Sequence, residues 1–98
     1  MIDHLTIRVR DFDDSRNFYA AALKPLGYEV LREFDIPGYG KICGLGVEGK
    51  PELWLAKASA EHPTPLGQHL ALRARSRAEV NAFYAAALAA RARDDGAP

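Results

Sequence analysis

Two histidines carry the first chemical signal in this chain. His4 and His69 stand 65 residues apart, and each opens the same passage. The copies are HLTIRVRDFDDSRNFYAAAL at 4–23 and HLALRARSRAEVNAFYAAAL at 69–88, with ten of twenty residues identical and no gap. Imidazole suits zinc, iron, nickel or copper, and two imidazoles with one carboxylate make the facial set used with non-haem iron. Glu52, in the stretch ELWLAKA, supplies a carboxylate, and Trp54 follows two places on. Trp54 reads either as a large core side chain or as an aromatic wall for a planar or apolar ligand. Arg8, Arg10, Arg73 and Arg75 either hold an anionic substrate or are solvated charges at strand ends. His62, inside EHPTP, reads as a solvent-exposed loop residue, and Cys43 as a small apolar filler of a strand.

The elements that must position these residues follow from periodicity. Residues 2–10 alternate, with Leu5, Ile7 and Val9 opposing His4, Thr6, Arg8 and Arg10, which predicts a half-buried strand. Asp11 and Asp14 mark a helix start, and Phe18, Tyr19, Ala22, Leu23 and Leu26 form its apolar stripe up to Gly27. Pro25 is placed to kink or end it. Three further strands are expected at 27–34, 41–47 and 52–58, broken by DIPGYG and by the hairpin signal EGKP.

A proline-rich loop at 59–67 leads to the second copy, where 68–75 alternate again. Ser76 and Glu79 then form the S-x-x-E signature of a helix start, followed by a stripe of Val80, Phe83, Tyr84, Ala87 and Leu88. If the apolar sides of these strands face the helices, His4, His69, Glu52 and Trp54 share the opposite face of the sheet. That face would gather two imidazoles toward one metal site.

Bulk properties narrow the partners. The chain has 98 residues, enough for one domain with one modest core. Thirteen basic and thirteen acidic residues cancel, which argues against nucleic acid or an anionic membrane as partner. One cysteine permits no internal disulfide, no apolar run reaches membrane-spanning length, and the N-terminus is too charged for a signal peptide. A cytoplasmic location is the expectation.

The passages IDHLTIRVRDFDDSRNFYAAAL with PLGYEV, then ELWLA, then HLALRARSRAEVNAFYAAAL resemble the glyoxalase, bleomycin-resistance and extradiol-dioxygenase group, the vicinal oxygen chelate superfamily. The resemblance runs over essentially the whole chain. It implies an α+β fold in which paired βαβββ modules surround a cup-shaped half-barrel. Module one would span 1–58, a linker 59–67 and a partial module two 68–98, its strands after the helix missing. It also implies a small-molecule ligand and, in many members, a divalent metal (Zn, Ni, Fe or Mn) chelating vicinal oxygens. His4 and His69 match the first-strand ligand positions of the two modules. The late-strand position looks like Trp54, which cannot ligate, with Glu52 able to serve in a different register. Trp54, Arg8 and Arg73 are the candidate substrate contacts. Whether the chain is an enzyme, a metal-free binding protein or an inactive truncated remnant stays open, and a homodimer would cover the open strand edges.

Overall fold

Asp11 starts the first helix by accepting a hydrogen bond from the backbone N–H of Asp14 through its side chain, at 3.1 Å. The computed structural model of the chain describes residues 1–98. It runs β1 (Leu5–Val9), α1 (Phe12–Ala22), β2 (Glu29–Ile36), β3 (Gly40–Val47), β4 (Lys50–Lys57) and α2 (Arg77–Ala89). The four strands form one mixed sheet in the order β1-β4-β3-β2, with β1 parallel to β4 and the other pairs antiparallel. This is an α+β architecture.

The α1 helix ends earlier than its stripe suggests. It stops at Ala22, and a single 3-10 turn over Lys24–Leu26 follows. Pro25 lacks the N–H that a continuing helix needs, and Gly27 closes the turn in the left-handed region at φ 87°. The later strands form where the alternation places them, displaced by up to two residues. The hairpin between β3 and β4 turns at Glu48 and Gly49, both with positive φ, as a two-residue connection between twisted strands requires.

The core lies between the sheet and the helices. Leu45, Leu55 and Cys43 on β3 and β4 are fully buried, and Leu23, Leu26, Phe12, Val9 and Leu53 complete the cluster. Each large apolar side chain buried this way contributes about 1.5–3 kcal/mol. Leu5, Ile7, Leu72, Ala74 and Phe83 pack against its margin.

One expected strand is absent. Residues 68–75 form no strand, and the alternation of sides holds only in part: of the apolar set Leu70, Leu72 and Ala74, the last two are half-buried but Leu70 is exposed, as are Ala71, Arg73 and Arg75. A strand exists only with a neighbour to receive its backbone hydrogen bonds, and no strand of residues 1–98 pairs with this segment. Periodicity specifies a buried side and says nothing of a partner. The capping box after it is also altered. Ser76 accepts from the N–H of Glu79 at 3.1 Å as expected, yet the Glu79 carboxylate reaches back to the N–H of Arg75, at 2.7 Å. No helix of the protein is long and apolar enough to cross a membrane.

Candidate functional site

The sheet has one face covered by the helices and one left open. On the covered side Arg16 of α1 pairs with Glu33 of β2, and Lys41 of β3 with Asp13 of α1 at 3.3 Å. On the open side the strand registers line up two rows. One is Thr6, Trp54, Gly44 and Arg32; the other is Arg8, Ala56, Ile42 and Phe34.

Trp54 lies over Gly44. A Cβ built on Gly44 would come within 3.0 Å of two carbons of the indole and of Pro51 Cβ, so the absence of a side chain there is what admits the ring. At one end of the face the β2–β3 turn brings Tyr39 to Arg8, whose guanidinium sits 5.2 Å from the ring centroid. Arg8 also reaches the carbonyl of Lys57 at 3.5 Å, and Arg32 donates to the carbonyl of Leu31 at 2.8 Å. Neither arginine has a carboxylate partner, whereas Arg16, Arg75 and Arg93 each do.

The other end of the face holds the metal-type donors. The parallel register of β1 with β4 pairs Leu5 with Leu53 and Thr6 with Trp54. One step earlier in sequence stand His4, just before β1, and Glu52 of β4. They also line a common cavity of about 300 Å³ with Ile2, Tyr28, Leu70 and Leu72. The Tyr28 hydroxyl donates to Glu52 Oε2 at 2.9 Å. Partial burial, and then this bond to the carboxylate, push the Tyr28 phenol up to about 12. His4 Nδ1 pairs with Asp3 at 2.7 Å, and that contact, with Lys50 beside it, holds the Asp3 carboxyl below its ordinary value.

The remaining candidates are not gathered with these. His69 and Arg73 are exposed on the segment that joins no sheet. The chain forms no group of three His, Cys, Asp or Glu side chains that could hold a metal ion. His4 and Glu52 are thus two donors of the right kind, without a third. Cys43 is wholly buried and its thiol is pushed up, chiefly by burial, which leaves it unreactive as expected. A larger open hollow of about 570 Å³ lies between α1 and the end of α2, on the far side of the sheet from these groups.

Three residues of the site carry no usable signal in the sequence. Tyr28 meets Glu52 across 24 residues of chain, and Tyr39 meets Arg8 only because a turn folds over the sheet. Arg32 changes faces with the irregular register between Val30 and Arg32. Gly44 did leave a trace: a glycine within a strand often marks a close approach.

The family model described as Glyoxalase/Bleomycin resistance protein/Dioxygenase superfamily matches residues 1–98. The chain belongs to that superfamily. Among solved structures it is similar to a glyoxalase/bleomycin resistance protein from Albidiferax ferrireducens T118, with TM-score 0.71 and 23% identity. That match covers 91% of this chain and 68% of the other, and at this identity it speaks for the fold. No curated protein matches.

Proposed function

We propose that the protein binds a small planar molecule on the open face of its sheet, against Trp54. The observation that supports this most is the row Thr6, Trp54, Gly44 and Arg32, in which a bare glycine lets an indole lie across the sheet. A rigid aromatic surface beside a few polar groups is what a small-molecule site needs, since it gives contact area at little cost in conformational entropy. A hydroxyl from Thr6 and guanidinium groups from Arg8 and Arg32 would fix the orientation of the bound ring. Trp54 is the single tryptophan of the chain, so its fluorescence reports on this surface alone. Titration with planar aromatic compounds is expected to change that emission saturably. Calorimetry on Trp54→Leu should show the binding lost. Absence of any saturable response across such a set overturns the reading.

A second reading adds a divalent ion at the edge of the same face. Its support is the cavity that His4 and Glu52 line together, donor types suited to zinc, nickel, iron or manganese. His69, the third candidate, would have to be drawn in from its unpaired segment. Calorimetric titration of zinc, nickel, manganese and ferrous ion tests this on the wild type, His4→Ala and Glu52→Gln. The expected result is binding that weakens in both variants. Equal binding by all three proteins, or none by the wild type, rejects it.

A further inference from the structure

We infer that the ligand of the open face is an aromatic anion, and that its acidic group is held by Arg8 and Arg32. This rests on the reading that the open face is the ligand face, and goes on to name what that face selects.

The argument is one of charge segregation. The chain as a whole is neutral, with thirteen basic and thirteen acidic residues. Its sheet is not neutral on both sides. In the two central rows of the open face the only charged side chains are Arg8 and Arg32. Of the acidic residues of the same edge strand, Glu33 and Asp35 take the alternate positions and fall on the helix side, in register with Cys43 and Lys41, while Glu29 stands at the strand's start, in register with Gly46 and outside these two rows. On the helix side Glu33 meets Arg16.

Both open-face arginines are held in place without being neutralised. Arg8 is fixed by the Tyr39 ring and the Lys57 carbonyl, and Arg32 by the Leu31 carbonyl. A carbonyl or a ring face orients a guanidinium while leaving its charge uncancelled. Trp54 stands between them: it shares a row with Arg32, and its neighbour Thr6 lies two residues from Arg8 on β1. An aromatic ring on the indole therefore has a cation available on either side for a carboxylate or similar group. A cationic or neutral ligand would leave both charges unanswered. The carboxylate of Glu52 sits outside these rows, in the cavity it lines with His4, and is engaged by Tyr28.

The test uses three probes of one shape and different charge: benzoate, benzamide and benzylamine. Affinity is read from Trp54 emission and checked by calorimetry. Benzoate is expected to bind at least about tenfold more tightly than benzamide, and benzylamine more weakly than either. Arg32→Met and Arg8→Met should each lower benzoate affinity about fivefold and benzamide affinity by a clearly smaller factor. Arg8→Lys, which keeps the charge, should recover part of the loss. Raising the ionic strength to about 1 M, where screening acts over about 3 Å, should weaken benzoate selectively. Equal affinity for benzoate and benzamide, or tighter binding of benzylamine, overturns the inference while leaving the ligand face itself standing. Silence of Trp54 toward all three overturns the ligand face, and the inference with it.

Discussion

The two copies of the repeated passage share ten of twenty residues and do not share a structure. In the first, residues 5–9 form a strand hydrogen-bonded to β4, and His4 lines a cavity in common with Glu52. In the second, Leu72 and Ala74 turn inward but residues 68–75 join no ladder, and Leu70 and His69 are left exposed. Their helices behave alike, each capped by a side-chain oxygen that accepts from the backbone N–H three residues on. The contrast separates two kinds of information. A helix satisfies its own backbone, so its pattern and cap suffice locally; a strand borrows its hydrogen bonds from a neighbour.

The comparison can be broken most forcefully at Gly46, in the β3–β4 ladder that holds β4 in place as the partner of the first copy's strand. A Cβ there would lie 1.7 Å from the carbonyl oxygen of Lys50, a contact with backbone that cannot be relieved by a rotamer change. Gly46→Ala is expected to cost about 3 kcal/mol or more, measured by urea unfolding. A near-neutral result would show that the β3–β4 irregularity is not needed to build the sheet.

Hydrogen exchange sharpens the contrast directly. Amides of β1 that bond to β4 should exchange at least about a hundredfold more slowly than those of 68–75. Comparable protection in both segments would mean that the second copy does find a partner in solution.

The likeness of the two helices is tested by their caps. Asp11→Ala and Ser76→Ala should each cost about 1 kcal/mol in chemical denaturation, because each removes one acceptor from one helix start. Clearly unequal values would show that the second helix depends on packing more than on its cap. At the far end of α2, Arg91 holds a positive φ of 77° while its N–H and that of Ala92 close the helix. Arg91→Gly should therefore stabilise by about 0.5–1 kcal/mol.

The smallest expected effect concerns the edge that only the first copy completes. The Tyr28 phenol is raised from 10.0 to about 12 in the fold, so the folded state retains this proton more firmly than the unfolded chain. That contribution is fully present below pH 10.0 and is lost as pH rises toward about 12. Thermal melts of the wild type should therefore fall more steeply across that interval than those of Tyr28→Phe. Parallel pH profiles would indicate that the Tyr28–Glu52 bond is not maintained in solution.

Much of this fold was legible from residues alone, and the reasons are local. Alternation named the buried sides of β1 and β4, Asp11 and Ser76 named the helix starts, and Gly27 and Glu48–Gly49 named turns. Such features depend on a few successive residues and on elementary backbone geometry. The side of the sheet to which His4, Arg8, Glu52 and Trp54 belong was legible for the same reason.

What the tertiary structure decided is which of these residues meet. The parallel register of β1 and β4 put Trp54 beside Thr6, one cavity came to be lined by both His4 and Glu52, a turn carried Tyr39 to Arg8, and a shift in register set Arg32 opposite Gly44. It also decided that 68–75 is not a strand. Pairing, register and approach across the sheet are properties of two segments at once, and no periodicity within one segment contains them.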